Sequence, residues 1–213
     1  MRNAMIVWGG WEGHEPRQGA EIVESILHAS GFQVRIEDST RAFADPSIAN
    51  LDLIVPIFTK ASIAEDEVFG LGNAISAGVG LAGYHGGMCD AFRDSTDYQF
   101  ICGGQWVAHP GNILDYRVDI TKPDDPVMAG LKSFSYRSEK YYMHVDPSNE
   151  VLATTTFSGE NAFWINGVVM PVVWKRRHGM GRVFYSSLGH VVREFDVPEM
   201  KTILTRGMLW AAK

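Results

Sequence analysis

The chain has 213 residues, 46% hydrophobic and 21% charged, with a net charge of −6. That is enough for one α/β domain with a sizeable core, and the acidic balance excludes nucleic acid and an anionic membrane surface as principal partners. Two cysteines, Cys89 and Cys102, exclude a disulfide framework and a four-thiolate metal site. No signal peptide or membrane-length apolar run is expected, so the expected compartment is the cytoplasm, with both thiols reduced.

In chain order, Ala4 to Trp8 is a short apolar run that reads as a buried parallel strand. A glycine-rich loop, Gly9 to His14, follows, and Glu15-Pro16 opens a helix whose Ala20, Val23, Ile26 and Leu27 share one face before Gly31 ends it. Phe32 to Ile36 alternates as strand two. Asp45-Pro46 caps a short helix, Leu51 to Phe58 is strand three, and Glu65 to Ala77 is a helix stopped by Gly78. Val79 to Tyr84 is strand four. It ends at His85-Gly86-Gly87, the pattern of a buried strand entering a sharp turn and then a helix. Such alternation predicts a doubly wound, mostly parallel α/β sheet.

After residue 95 the alternation loosens. Gly103 to Gly111 reads as a loop, Tyr116 to Ile120 as a strand, and Asp125-Pro126 as the start of a short helix ending near Gly130. Tyr141 to Val145 and Val151 to Thr155 read as strands. Met170 to Trp174 and Arg182 to Ser187 flank the segment Lys175 to Gly181 as an added β-hairpin with a basic tip, and Gly189-His190 ends its second strand. Pro198 opens a last helix with Ile203, Leu204, Met208 and Trp210 available for packing. No linker or repeat interrupts the chain, so residues 1–213 read as a single domain.

Five of seven histidines share a position. His14 follows strand one, His85 ends strand four, His109 lies in the Gly-Gly-Gln-Trp loop, and His144 and His190 end later strands. Carboxyl ends of parallel strands share one sheet edge, so these side chains are expected to converge there. His28 and His178 read as surface residues. Imidazole is a common ligand for zinc-type divalent ions and exchanges protons near neutral pH, so the cluster suits either a metal or acid–base chemistry. Glu139 and Asp90 are the carboxylates best placed to join. Trp11 and Trp106, beside His14 and His109, would offer rings to the apolar face of a sugar. No G-x-G-x-x-G follows the first strand and no G-x-x-x-x-G-K-[ST] occurs, which removes the usual support for a nucleotide cofactor.

Five blocks in this order carry a resemblance: Gly9-Gly10-Trp11-x-Gly13-His14, Gly83-Tyr84-His85-Gly86-Gly87-x-x-Asp90, Gly103-Gly104-Gln105-Trp106-x-x-His109-Pro110-Gly111, Glu139-x-Tyr141, and Gly181-Arg182-Val183-Phe184-Tyr185-x-x-Leu188-Gly189-His190. Together they resemble the ThuA (trehalose utilisation) family. The resemblance implies a flavodoxin-like sheet of the class I glutamine amidotransferase type. It also implies a role in disaccharide catabolism, linked to 3-keto derivatives of trehalose-like sugars. His85 stands at the elbow where true amidotransferases carry a cysteine, and His190 falls where their late histidine lies. Cys89 is four residues beyond the elbow.

The reading that results is an enzyme acting on a disaccharide or its 3-keto form. His85, His190 and Glu139 are the catalytic candidates, and Trp11, Asp90, Gln105 and Trp106 the substrate-binding ones. His14, His109 and His144 would hold a divalent metal, with His85 or His190 able to substitute. The expected partners are the sugar and a separate oxidoreductase that makes the ketone, and a homo-oligomer is left open. Two alternatives stand beside it: a thiol hydrolase or amidotransferase-like enzyme using Cys89, and a non-catalytic sugar-binding subunit.

Overall fold

The structure, a computed structural model, describes residues 2–213. Eleven strands and five α-helices are present among them. The strands are β1 (Arg2–Gly10), β2 (Phe32–Glu37), β3 (Leu53–Thr59), β4 (Gly80–Tyr84), β5 (Gly104–Ala108), β6 (Ile113–Ile120), β7 (Phe134–Glu139), β8 (Tyr142–Val145), β9 (Glu150–Thr156), β10 (Val169–His178) and β11 (Gly181–Ser186). The helices are α1 (Pro16–Ala29), α2 (Glu65–Ser76), α3 (His85–Cys89), α4 (Thr96–Cys102) and α5 (Pro198–Ala211).

Nine strands form one sheet in the order β2-β1-β3-β4-β11-β10-β9-β6-β7, and β5 pairs with β8 in a separate ribbon. The first five strands of that order are parallel, and every later pairing is antiparallel. The sheet is therefore mixed, with a parallel half of five strands. Alternation along β1 sends Ala4 and Ile6 to one face, against Val23 and Leu27 of α1 and Ile203 and Leu204 of α5. Met5 and Val7 go to the other face, with Leu71 and Ile75 of α2 and Tyr98 and Ile101 of α4. Helices thus cover both faces, as fully apolar parallel strands require.

The β3–β4 ladder consists of Leu53↔Gly80 and Ile54↔Leu81 only. Beyond that the strands part around Pro56, which cannot donate to a ladder, and α3 fills the gap. The opening lies at the carboxyl edge, where the functional side chains collect.

Several expectations need correction. Gly104–Ala108 is a strand, not a loop. The segment from Asp125 makes only turns, with Met128 N–H donating to the Asp125 carbonyl; its proline starts no helix. β7 and α4, unmarked by any clear apolar period, are additional. The basic run after Trp174 is strand rather than hairpin tip: Lys175 and Arg176 are buried in β10, paired with Asp125 and Asp146, and the turn itself is Gly179-Met180. β11 ends at Ser186, so Gly189-His190 lies in the loop beyond it. His28 sits in the last turn of α1, exposed as expected; His178 is half-buried beside Phe100.

Candidate functional site

Three loops from parallel strands deliver three imidazoles to one point. His14 lies in the short 3-10 turn Glu12–His14 after β1, His85 at the junction of β4 and α3, and His190 in the loop after β11. The His14 ring centroid lies 4.8 Å from that of His85 and 5.0 Å from that of His190, and the last two are 5.2 Å apart. Glu139 arrives differently. The β6–β7 ribbon joins β9 only through Asp119 and Ile120 and packs its Tyr116, Val118, Phe134 and Tyr136 into the α1/α5 side of the core. The end of β7 thereby comes back to the carboxyl edge.

Glu139 is the centre of the cluster. Its Oε2 lies 3.4 Å from His190 Nδ1, 3.5 Å from His85 Nε2 and 3.9 Å from His14 Nε2, and its Oε1 lies 3.7 Å from His109 Nε2. One ligating atom from each of His14, His85, His190 and Glu139 can be chosen so that all lie within 4.8 Å of one another. His85 Nε2 and His190 Nδ1 are buried without a hydrogen-bond partner. Buried polar atoms are rarely left so, and two aimed at one carboxylate fit a divalent cation between them.

The supporting contacts fit the same use. His14 Nδ1 lies 3.0 Å from Thr59 Oγ1, and His85 Nδ1 lies 3.0 Å from the Tyr141 hydroxyl. A ring whose Nδ1–H donates to such an oxygen presents its Nε2 lone pair, the arrangement found behind metal-bound histidines. Burial, the neighbouring histidines and Lys60 hold His14 down to about 3, and burial holds His85 well below the ordinary imidazole range. Both rings are neutral, and so competent as ligands, at pH 7.

The backbone is shaped to the cluster. His85 has φ +48°, the left-handed region that a branched or bulky residue enters at a cost. The Tyr185 hydroxyl donates to its carbonyl at 3.1 Å and holds that turn. A Cβ on Gly86 would stand 2.6 Å from His14 Cε1, so glycine there lets the two loops touch. Buried Glu194 fixes the other side. Its Oε2 accepts from Tyr136 OH at 2.5 Å, Ser138 Oγ at 3.0 Å, Gly189 N–H at 3.2 Å and His190 N–H at 2.9 Å. It thereby ties the strand that carries Glu139 to the loop that carries His190. Glu15 adds a bond from the Val192 N–H at 2.8 Å.

A cavity of about 300 Å³ opens over the cluster, lined by Trp11, His14, Lys60, Asp90, Trp106, His109, Asn112, Glu139 and Tyr141. A wider groove of about 660 Å³ between α2 and α4 includes no member of the cluster. The β5–β8 ribbon supplies one wall: Trp106 sits on β5, His109 follows it, and Tyr141 precedes β8. Asp90 is engaged by Arg93 through Nε at 2.5 Å and Nη2 at 3.0 Å, and the guanidinium lies over the Trp106 ring. Its carboxylate therefore holds that wall rather than joining the four donors.

Two sequence-derived candidates stand apart. His144 is exposed, because its neighbour Met143 takes the inward position of β8 and strand alternation turns His144 away. Among the described residues it belongs to no group of donors placed to hold a metal ion. Gln105 is absent from the cavity wall for the same reason, opposite in facing to Trp106, and its amide donates to the Trp106 carbonyl at 3.0 Å. Cys89 is 1% exposed, and burial beside Cys102 pushes its thiol well up, the reverse of an activated nucleophile. Thr59, Lys60, Arg93, Asn112 and Glu194 are additional site residues. Only the position of Thr59-Lys60 just past strand three could have marked any of them in the sequence.

The family model for ThuA, trehalose utilisation, matches residues 3–211. The chain belongs to the ThuA family. Among solved structures, this ThuA chain is similar to a putative ThuA-like protein from Parabacteroides merdae, with a TM-score of 0.80 at 19% identity over 100% of this chain and 90% of that one. A second putative ThuA-like protein, from Bacteroides uniformis, has a TM-score of 0.80 at 17% identity over 99% and 91%. A β-galactosidase from Bacillus circulans has a TM-score of 0.59 at 12% identity, covering 99% of this chain but 30% of its own. At these identities the likeness is one of fold. No match is found among curated proteins.

Proposed function

We propose that this ThuA-family chain is a carbohydrate-active enzyme of disaccharide catabolism, acting on a disaccharide or its 3-keto derivative at a divalent-metal site. One observation carries the reading: His14 Nε2, His85 Nε2, His190 Nδ1 and Glu139 Oε2 face one another, two of them buried and otherwise unpartnered. An ion held there would polarise a sugar carbonyl and stabilise negative charge developing on its oxygen. A ketone at C3 acidifies the adjacent C–H bonds. His109, expected from the sequence as a metal ligand, stands at the cavity wall outside the four donors, and its imidazole takes the proton from the carbon next to the ketone. The cavity is at the small end for ligand pockets, so the reacting ring enters it while the second ring lies outside. A separate oxidoreductase supplies the ketone. The flavodoxin-like assignment rests on the parallel order β2-β1-β3-β4-β11, in which β1 and β3 end just before Trp11 and Lys60. A cytoplasmic location accords with two free thiols.

The test is elemental analysis of untagged protein purified without chelator, with His14→Ala and Glu139→Gln beside it. About one divalent ion per chain is expected in the parent and much less in either variant. Full turnover of a 3-keto disaccharide by rigorously metal-free protein would refute the metal reading.

A further inference from the structure

Four non-glycine residues adopt a positive φ among the described residues: Glu15 at +50°, Lys60 at +54°, His85 at +48° and Asn112 at +55°. Lys60 and Asn112 line the cavity, His85 belongs to the donor cluster, and Glu15 directly follows His14. Asparagine enters this region more readily than most residues, whereas lysine does so at a cost that glycine would avoid. Two of the four side chains have a task within the protein. His85 joins the donor cluster, and the Glu15 carboxylate holds the His190 loop through Val192. Lys60 and Asn112 have no such task. Their backbones are pinned, Lys60 N–H to the Asp90 carbonyl at 2.8 Å and Asn112 N–H to the His109 carbonyl at 2.9 Å. Among the described residues neither side chain has a hydrogen-bond or ion-pair partner, yet both line the cavity. The Lys60 ammonium sits 4.1 Å above the Trp11 ring centroid, which keeps the cation at the mouth.

We infer that Lys60 and Asn112 are ligand-contacting residues that set specificity at this site, with Lys60 selecting a ring carbon oxidised to carry an sp2 oxygen. The inference rests on the saccharide reading given above. Lysine offers three donors and no acceptor, so it pairs best with an oxygen that bears no hydrogen and carries negative charge. A ketone oxygen or a carboxylate meets that demand better than a hydroxyl. Asn112 offers both a donor and an acceptor, and so matches the hydroxyls that an oxidised and an unoxidised ring share. The two residues divide recognition: Asn112 holds a sugar ring of either kind, and Lys60 tells the oxidised ring from its parent.

Calorimetric titration of the purified protein tests this with three probes: trehalose, 3-ketotrehalose, and trehalose with one ring oxidised to the C6 carboxylate. Lys60→Met is expected to weaken binding of the preferred oxidised probe about tenfold, the scale of one charge-assisted bond, and to leave trehalose within about twofold. Whichever oxidised probe suffers that loss identifies the oxygen as ketone or carboxylate. Asn112→Ala is expected to weaken the preferred oxidised probe and trehalose by similar factors. Both residues are exposed, and metal content serves as the control that the donor cluster is intact. Unchanged affinity of Lys60→Met for both oxidised probes, or equal weakening of all three, overturns the role of Lys60. Failure of the parent protein to bind any of the three overturns the saccharide reading and this inference with it, a result distinct from the first.

Discussion

At single side chains, the separation of thiol from imidazole chemistry is the sharpest consequence. Cys89 lies against Cys102, Tyr98 and Tyr185 in the core, so Cys89→Ser is expected to leave metal content and turnover within about twofold while costing about 1–3 kcal/mol for burying a hydroxyl, read from urea unfolding. Loss of activity with the fold intact would return the thiol to the site. Thr59 and Tyr141 are expected to behave in the opposite way. They touch the far nitrogens of His14 and His85, and Thr59→Ala or Tyr141→Phe should lower metal affinity roughly 10–100-fold in a chelator competition, with little change in unfolding midpoint for Tyr141→Phe. Unaltered affinity in both would mean that these hydroxyls do not orient the rings. The pH dependence follows from the same burial. In metal-free protein His14 stays neutral down to about 3 and His85 lies well below its ordinary value, while both take up protons near 6.5 when the chain unfolds. The unfolded state therefore binds more protons below that value. Stability is fully present above about pH 6.5 and falls as pH drops through it, by up to about 1.4 kcal/mol per pH unit for each such group. A flat stability profile between pH 7 and 5 would show that the rings are solvated.

Among the elements, the elbow and the β7 ribbon decide the geometry. A Cβ at Gly86 meets the His14 ring and Thr59 Cγ2, so Gly86→Ala is expected to displace the loop after β1 and lower metal occupancy while the circular dichroism stays that of the parent. A variant that retains full occupancy would show that the His14 loop adapts. On the other side, Glu194 bridges β7 and the His190 loop, and Glu194→Ala should destabilise by about 3 kcal/mol or more because four donors lose one acceptor. The elbow was legible beforehand: an apolar run, a histidine and two glycines describe a strand, a turn and a close approach. The ribbon was not. Ser135, Arg137 and Lys140 interrupt Phe134 to Tyr141, and the polar face of β7 hides a strand whose partner is β6, about twenty residues away and itself polar on one side.

Across the whole molecule, the parallel half and the antiparallel half contribute differently to the site. Strands β1, β3, β4 and β11 point the same way, and the residues just past their ends meet without further instruction: Trp11 and His14, Lys60, His85, and then His190. Local patterning and glycine placement carry that information, since a buried parallel strand must be apolar throughout and its turn must be tight. The chain order alone therefore contained the strand–helix alternation of residues 4–84, the elbow at His85 and the convergence of His14, His85 and His190. Only long-range packing could bring Glu139, His109 and Tyr141 to the same point, because a ribbon that folds back and a two-stranded flap are defined by which distant surfaces they cover. The same packing turned His144 and Gln105 away: with a period of two, the facing of every strand residue depends on which neighbour is buried, and Met143 and Trp106 took those places.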